Sequence, residues 1–260
     1  MYVTTSGLVL TREFYSENNK LLKIYTKEMG KISAIAVGAC KINAKLLSIT
    51  EPLTETEFTF AVSSLNLKMN RVKIIGGKLI ESFTKLKNDI NRYLIACKII
   101  ETVDLLTFDY VKNEPKYNLI LKSLQLVEKS IHIERIYVAF LLRFLKLSGY
   151  GLELNRCIKC SSKSEVPFKF SLLNRGILCR KCSEIDRNSK EIDNKTLTFF
   201  NSLSKLSGSD IDRLDIPENI EKFIKKECEL YLLEYTNKYL NTIQVTTRIN
   251  DFATNYNRIK

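Results

Sequence analysis

The stretch LLKIYTKEMGKISAIAV, residues 21–37, is the part of the sequence that bears most directly on the fold. It contains two short apolar and β-branched runs on either side of Glu28-Met29-Gly30-Lys31. Because Gly30 can adopt the positive φ that a tight turn requires, this pattern predicts two strands joined by a turn.

Three further segments have the character of strands. Residues 2–10 alternate loosely, residues 55–62 alternate between apolar and polar side chains with the period of two, and residues 71–75 end at Gly76-Gly77. Five short strands separated by turn signals predict a small antiparallel β-barrel over residues 1–79. An OB-like barrel is one candidate, and strand counting alone does not distinguish it from an SH3-like one.

The chain after residue 79 has the periodicity of helices. A second helix is expected after Pro115, a third from Ile133 to a closing Gly149, a fourth ending at Gly208 as its C-cap, and a last one after Pro217. The first helix is expected to bury one stripe: Leu86, Ile90, Tyr93, Leu94, Cys97, Ile100 and Val103 or Asp104.

These segments predict an α+β chain, in which the OB-fold-like barrel precedes an α-helical domain that carries a four-cysteine zinc module. The helical domain is expected in two parts, 80–150 and 191–260, on either side of the cysteine-rich segment 151–190. The tail from Thr246 onward is expected to be frayed.

Composition and charge narrow the class of protein. The chain has 260 residues, 45% of them hydrophobic, and a formal net charge of +12. Residues 1–80 carry 11 basic and 6 acidic side chains, and residues 151–190 carry nine and four. This excess suits a polyanion, although solvated lysines are common in soluble proteins. The sequence has neither an apolar run long enough to span a bilayer nor a signal peptide, so we expect a cytoplasmic protein without a membrane partner.

Four of the seven cysteines form two CxxC pairs, Cys157-Ile158-Lys159-Cys160 and Cys179-Arg180-Lys181-Cys182. Eighteen residues separate the pairs, within the range expected of a zinc site. Two such turns can direct Cys157, Cys160, Cys179 and Cys182 at one ion, which leaves no open coordination position. One structural Zn²⁺ is therefore predicted. Four basic side chains would help to keep the thiolates deprotonated: Arg156, Lys159, Arg180 and Lys181.

The other three cysteines are Cys40, Cys97 and Cys228. They lie in apolar stretches, so small buried hydrophobes are expected.

Catalytic motifs are scarce. The sequence has no P-loop, and its single histidine leaves little room for a Ser-His-Asp triad. One arrangement resembles the zinc deaminase signature: His132, Cys157 and Cys160 would bind a catalytic zinc, and Glu134 would move the proton. Arg156 stands where that signature has proline, and the second CxxC pair would have no role. We therefore expect a protein without enzymatic activity.

Three stretches of the sequence resemble one family. GLVLTREFYSEN at 7–18 and TKEMGKISAIAVGA at 26–39 are similar to the N-terminal signature of the DNA repair protein RecO family. LKLSGYGLEL at 145–154, which leads into the first CxxC pair, resembles that family's approach to its zinc site, and the second pair completes it. The resemblance spans nearly the whole chain in the right order.

The resemblance implies an N-terminal OB-fold, a helical C-terminal domain and a zinc module within it. It also implies a recombination mediator that binds single- and double-stranded DNA, anneals complementary strands and works with RecR to load RecA where single-stranded DNA-binding protein covers the strand. Such a protein would act at the nucleoid. A groove on the helical domain could accept the acidic C-terminal tail of single-stranded DNA-binding protein.

DNA binding is expected to be mainly phosphate neutralisation and therefore salt-dependent. The basic candidates in the barrel are Arg12, Lys20, Lys31, Lys41, Lys45, Lys68, Arg71, Lys73 and Lys78. Each of them could equally be a solvated surface side chain. Tyr15 and Tyr25 could stack on bases, or could instead pack in the core or at the barrel rim. An alternative function is a zinc-ribbon module that binds other proteins, for which DNA binding would be incidental.

Overall fold

The structure, a computed structural model, describes residues 1–40, 46–62, 72–163, 168–206, 208–238 and 240–243. It divides the chain into two compact units, Met1–Glu128 and Lys129–Lys260. The described part of the first unit holds five strands and three helices: β1 (Tyr2–Ser16), β2 (Asn19–Thr26), β3 (Gly30–Ala36), β4 (Glu55–Ala61), β5 (Val72–Glu81), α1 (Thr84–Lys87), α2 (Ile90–Leu106) and α3 (Glu114–Lys129).

The five strands form a closed barrel in the order β1-β2-β3-β5-β4. Four of its seams are antiparallel, and the seam between β3 and β5 is parallel. Among the described residues, which resume at Val72, that seam contains three residue pairs, from Ala34–Val72 to Ala36–Ile74. The predicted OB-fold-like barrel is confirmed, and the parallel seam is a feature that strand counting could not show.

The barrel interior is filled by the apolar half of the period-two pattern. Ile24 of β2 lies opposite Ile32 of β3, and both are fully buried. Phe58 and Phe60 of β4 stack with ring centroids 5.4 Å apart. Burying side chains of this size stabilises a fold by about 1.5–3 kcal/mol each, so this cluster is a main source of the barrel's stability.

Strand β5 differs from its prediction, because it continues through Gly76-Gly77 to Glu81 instead of ending at the glycines. Its pairing with β4 shifts register at Ile75, which is an extra residue and forms a β-bulge. A Cβ atom on Gly77 would lie 2.8 Å from Thr56 Cγ2. The glycines therefore let the strand bend and approach its neighbour closely, which is why they do not end it.

Helix α2 buries only part of the predicted stripe. It begins after Asp89, whose carboxylate accepts hydrogen bonds from the backbone N–H groups of Asn91 and Arg92. The predicted Ile100 and Val103 are buried, as is Leu86 of α1, but Ile90 and Tyr93 are exposed. The rest of the buried apolar face consists of residues outside the predicted stripe: Ile95, Ala96, Ile99 and Leu106. The helix is apolar on more than one side, so its periodicity could not define a single face.

The second unit combines helices with a small sheet. Its described elements are α4 (Ile133–Leu147), β6 (Phe168–Ser171), β7 (Gly176–Leu178), β8 (Lys190–Ile192), α5 (Asn194–Lys205) and α6 (Glu218–Thr236). The sheet has the order β7-β6-β8, and Phe168 and Phe170 turn into the core. Phe170 packs on Phe200 of α5 with ring centroids 5.2 Å apart, which joins the sheet to the helices.

The ends of the helices in this unit follow the sequence signals with one exception. Helix α4 ends before Gly149, which has φ +84°, and α6 begins directly after Pro217. The prediction that Gly208 caps α5 is wrong, because the helix ends at Lys205 and Gly208 begins a separate 3₁₀ turn. The tail from Thr246 lies outside the described residues.

Within the part of the chain that the structure describes, no helix combines the length and apolar character needed to cross a bilayer.

Candidate metal centre and nucleic-acid surfaces

Both CxxC pairs meet in one cluster in the second unit. Cys157, Cys160, Cys179 and Cys182 place their sulfur atoms within 4.8 Å of one another. The Sγ atoms of Cys160 and Cys179 are 3.6 Å apart. A tetrahedron with metal–sulfur bonds of ~2.3 Å has edges of about 3.8 Å, so the cluster has the dimensions of a four-thiolate metal site.

The chain backbone shapes each CxxC turn. The Ser161 N–H donates to the Cys157 carbonyl at 2.8 Å, and the Cys182 N–H donates to the Cys179 carbonyl at 2.9 Å. The first turn is also tied to the sheet, because the Ile158 N–H donates to the Ile177 carbonyl of β7 at 2.9 Å. Cys157 and Cys179 are buried, whereas Cys160 is exposed, so the cluster lies at the edge of the unit.

The thiols in this cluster differ in acidity. Burial opposes ionisation of Cys157, but the backbone N–H groups of Cys160, Cys179 and Lys159 outweigh it and lower the pKa of Cys157 to about 6. Partial burial and the neighbouring thiols raise the pKa of Cys182 to about 12. Four thiolates this close together require a cation between them, because their mutual repulsion otherwise keeps some of them protonated. The donor set therefore fits a resident divalent metal ion.

Backbone groups, rather than the basic side chains of the prediction, stabilise the Cys157 thiolate. Arg156, one of the predicted helpers, binds Glu153 instead, with 3.3 Å between its Nε and the Oε2 of that residue. The direction of backbone N–H groups cannot be seen in a sequence. Beyond the CxxC spacing, nothing in the sequence therefore indicated that these groups stabilise the thiolate.

The structure does not bring together the residues of the deaminase arrangement. His132 stands at the start of α4, where its N–H donates to the Ser130 hydroxyl. In the described residues the metal-ligating cluster consists of cysteines alone, and neither His132 nor Glu134 belongs to it. The Glu134 carboxylate is instead 2.8 Å from Lys225 Nζ of α6.

The other cysteines lie away from this centre. Cys228 is fully buried, as expected, and burial raises the pKa of its thiol. Cys40 and Cys97 are only half-buried, so the expectation of full burial is wrong for these two.

Arg12 and Lys20, two of the predicted DNA contacts, bind one carboxylate. Glu51 Oε1 accepts a hydrogen bond from Arg12 Nη1 at 2.5 Å and another from Lys20 Nζ at 3.1 Å. Lys20 is 2% exposed and also donates to Thr50 Oγ1 at 3.3 Å. An ammonium group buried in this way cannot reach a phosphate, so the structure argues against Lys20 as a DNA contact. Arg12 stays exposed at the surface.

Lys31 is also held within the first unit. Its Nζ donates to Asp104 Oδ1 at 3.0 Å and to the Asp104 carbonyl at 2.7 Å, and Lys23 Nζ donates to the other carboxylate oxygen at 2.8 Å. Burial acts to raise the pKa of Asp104, but the two lysines lower it below its usual value. Since the Lys31 side chain is only 12% exposed, the structure argues against a role for it in DNA binding.

The segment that follows α2 also packs along the hairpin of β2 and β3. The Tyr110 N–H donates to the Lys31 carbonyl at 2.8 Å. Val111 passes so close to Gly30 that a Cβ there would lie 2.2 Å from the Val111 carbonyl oxygen. OB-folds commonly bind oligonucleotides over strands 2 and 3, and here the chain itself occupies part of that face.

Glu51 and Asp104 are the residues that the sequence analysis missed. Glu51 is 31 positions from Lys20, and Asp104 is 73 positions from Lys31. Ion pairs over such distances in the chain follow from the closure of the barrel and leave no local pattern.

Two of the predicted basic residues, Lys73 and Lys78, are exposed on β5 and form no ion pair with any described residue. The other candidates, Lys41, Lys45, Lys68 and Arg71, lie outside the described residues.

The predicted stacking tyrosines differ in position. Tyr25 is 1% exposed, and burial raises its pKa to about 12, so it belongs to the core. Tyr15 is exposed, because β1 continues past its predicted end to Ser16. Beside it Phe14 is 80% exposed, which the alternation pattern had not indicated.

A groove of about 620 Å³ lies on the second unit beside α5. A pocket of about 250 Å³ adjoins it and shares part of its lining with it. The apolar lining of the two consists of Leu142, Leu152, Leu154, Leu197 and Leu206. Lys146 and Lys205 provide positive charge. Arg143 donates from Nε to the carbonyl of the lining residue Ser204 at 3.3 Å, while its buried Nη2 has no hydrogen-bond partner among the described residues.

The fold and the centre define a class: a protein that joins an OB-fold barrel to a helical unit with a cluster of four cysteines that fits a metal ion. Family models agree with both parts. The model described as recombination protein O N terminal matches residues 1–83, and the model described as recombination protein O C terminal matches residues 87–242. The chain therefore belongs to the RecO family, which places it in DNA repair and recombination.

Curated relatives agree over nearly full length. DNA repair protein RecO of Clostridium perfringens is 30% identical over 220 residues, which are 84% of this chain and 87% of the relative. DNA repair protein RecO of Alkaliphilus metalliredigens is 28% identical over 251 residues, 96% of this chain and all of the relative. The protein of the same name from Acetivibrio thermocellus is 27% identical and covers 100% of this chain and 99% of the relative.

Proposed function

We propose that this protein is a recombination mediator that binds single- and double-stranded DNA, anneals complementary strands and, with RecR, helps to load RecA onto single-stranded DNA. It would act at the nucleoid and without chemistry of its own. The observation that carries the proposal is the match of the two RecO family models to the barrel and to the cysteine-bearing helical unit.

The barrel is the proposed DNA-binding part, and its contacts are phosphate neutralisation. Among the described candidates Lys73 and Lys78 suit this role best, because both are exposed and neither is held by an acidic partner there. Lys41, Lys45, Lys68 and Arg71 remain proposed contacts, and Arg12 is a peripheral one. Phe14 and Tyr15 offer faces on which unpaired bases could stack.

Annealing requires no bond to be made or broken. Two strands held on a positive surface repel each other less and meet at a higher local concentration, which speeds their pairing. This mechanism predicts that annealing depends on salt and is independent of ATP.

The metal in the four-cysteine centre is proposed to be one structural Zn²⁺. Four sulfur ligands are the set that structural zinc takes, and a closed tetrahedral shell stabilises the fold without offering a site for chemistry. Cys157, Cys160, Cys179 and Cys182 would hold the ion and join the first CxxC turn to the segment after β7.

The groove beside α5 is the proposed site for the acidic C-terminal tail of single-stranded DNA-binding protein. Its leucine lining suits apolar side chains of a peptide, and Lys146 and Lys205 suit its carboxylates.

The deciding experiment measures DNA binding and strand annealing by the purified protein over a salt series, with zinc quantified in the same preparation. We expect about one Zn²⁺ per chain, binding that weakens with salt, and annealing without ATP. Lys73→Ala with Lys78→Ala should flatten the salt dependence, whereas the control Lys122→Ala, on the exposed side of α3, should not.

Zinc without DNA affinity at moderate salt would overturn the annealing mechanism. It would favour the alternative of a zinc-ribbon module that binds other proteins.

A further inference from the structure

Three side chains of the second unit form a cluster that the proposed function does not use. Tyr150, just after α4, and Tyr235, near the end of α6, have ring centroids 3.8 Å apart. The guanidinium carbon of Arg175, in the turn between β6 and β7, lies 6.0 Å from the Tyr235 centroid. The Tyr231 hydroxyl donates to the Tyr150 carbonyl at 3.1 Å and fixes the position of the first tyrosine.

Arg175 occupies a backbone position that favours glycine. Its φ is +57°, in the left-handed region, which costs most residues about 1 kcal/mol or more. The next residue, Gly176, has to be glycine, because a Cβ there would lie 2.5 Å from the Glu153 carbonyl oxygen. Arg175 itself is held only through its backbone, since its N–H donates to the Leu172 carbonyl at 3.0 Å and its carbonyl accepts the Glu153 N–H at 3.0 Å.

The side chain of Arg175 does little for the fold that would offset this cost. It is exposed and makes no hydrogen bond or ion pair with any described residue, and it lies over the ring of Tyr235. Strained residues of this kind occur most often where a ligand is bound. Guanidinium on an aromatic face is also a frequent arrangement in the recognition of nucleic acids, because the N–H groups at its edge remain free for phosphate.

The segment that contains Arg175 is positively charged, whereas Tyr235 stands beside the exposed Glu234 on α6. Residues 151–190 carry nine basic and four acidic side chains. Of the acidic ones, Glu153 is bound by Arg156, Asp186 is buried and accepts a hydrogen bond from Ser171 at 2.6 Å, Glu184 is exposed, and Glu165 lies outside the described residues. The basic side chains exposed here, besides Arg175, are Arg156, Lys159, Lys163, Arg180, Lys181 and Arg187.

We infer that the Arg175–Tyr235–Tyr150 cluster, with the basic surface of the cysteine module, is a second binding surface for single-stranded nucleic acid. Arg175 donates to phosphate, and the half-buried tyrosine rings provide a face for an unpaired base. Aromatic rings accept every base, so this surface does not select a sequence.

This inference rests on the proposed function and extends it. The barrel holds one strand, and the cluster gives the same chain a place for another strand. Annealing is then a reaction between two strands bound to one protein.

Arg175→Gly is the variant that separates binding from folding. Glycine suits the positive φ, so this variant should unfold at the same temperature as the unaltered protein or higher, and it should keep its zinc. We expect its annealing rate and its affinity for a short oligothymidine to fall by roughly tenfold, the size of one lost stacking and phosphate contact. Tyr235→Ala should have a similar effect. Arg213→Ala removes one exposed positive charge elsewhere in this unit and should change neither measurement.

The outcomes distinguish a failure of the second surface from a failure of the proposed function. If the unaltered protein binds DNA but Arg175→Gly behaves like Arg213→Ala, the second surface is overturned and the proposed function stands. If the unaltered protein does not bind DNA, the proposed function fails as well. If Arg175→Gly weakens binding of an acidic peptide and leaves oligothymidine binding unchanged, the surface serves a protein and the inference is wrong.

Discussion

Asp104 is the single residue that most changes the assignment of the barrel surface. Its carboxylate binds Lys31, a predicted phosphate contact, and also Lys23, so that both lysines become parts of the fold. Glu51 does the same for Lys20. Counting charges along the sequence treats these lysines as available to a phosphate. In the structure a carboxylate already neutralises each of them.

Asp104→Asn should destabilise the first unit at neutral pH by about 1–2 kcal/mol, because two charged hydrogen bonds are weakened and Lys31 is left half-buried. The lysines hold the folded-state pKa of Asp104 below its ordinary value, so the ion pair stabilises the fold above about pH 4 and is lost as the pH falls through the folded-state pKa.

Urea unfolding at several pH values measures this effect. The difference between the unaltered protein and Asp104→Asn should shrink in acid. A difference that stays constant down to pH 3 would show that Asp104 acts through something other than its charge.

Cys179→Ser should abolish metal binding and lower the melting temperature of the protein, because a tetrahedral site with three thiolates loses its closed shell. Elemental analysis of the purified variant measures the metal directly. His132→Ala is the control and should retain the full content. Metal loss in His132→Ala would revive the deaminase arrangement.

Strand β5 continues through Gly76-Gly77, although two glycines were predicted to end it. Gly77→Ala should destabilise the barrel by about 1–3 kcal/mol, because its Cβ would lie 2.8 Å from Thr56 Cγ2 and 3.0 Å from the Glu57 carbonyl oxygen. Gly76→Ala is a matched control, since a Cβ there meets nothing within 4 Å. Thermal unfolding compares the two variants, and equal melting temperatures would contradict the close-packing explanation.

The elements that were predicted well share a clear local signal. β2, β3 and β4 have one alternating apolar face, α4 ends before the expected Gly149, and α6 begins after the expected Pro217. The face of α2 was only partly right, because apolar residues surround that helix and only packing selects among them. The meeting of the four cysteines was predicted because CxxC spacing is itself a geometric constraint. The partners of the barrel lysines could not be predicted, because they come from distant parts of the chain.

The whole molecule distributes its charge differently from its sequence. Seven basic residues of the first 80 are described, and five of them, Arg12, Lys20, Lys23, Lys27 and Lys31, form ion pairs. In the cysteine module most basic side chains are exposed. Among the described residues, the segment 151–190 therefore offers more exposed basic side chains to a polyanion than the barrel does.

The seam between β3 and β5 is parallel, whereas the other four seams of the barrel are antiparallel. Parallel pairing is slightly less stable per residue, because its hydrogen bonds are slanted. Backbone amides exchange their hydrogens with solvent only when such a seam opens. In deuterated water the amides that bridge residues 34–36 and 72–74 should therefore label before those between β1 and β4, so that the barrel opens at this seam while the other seams stay paired.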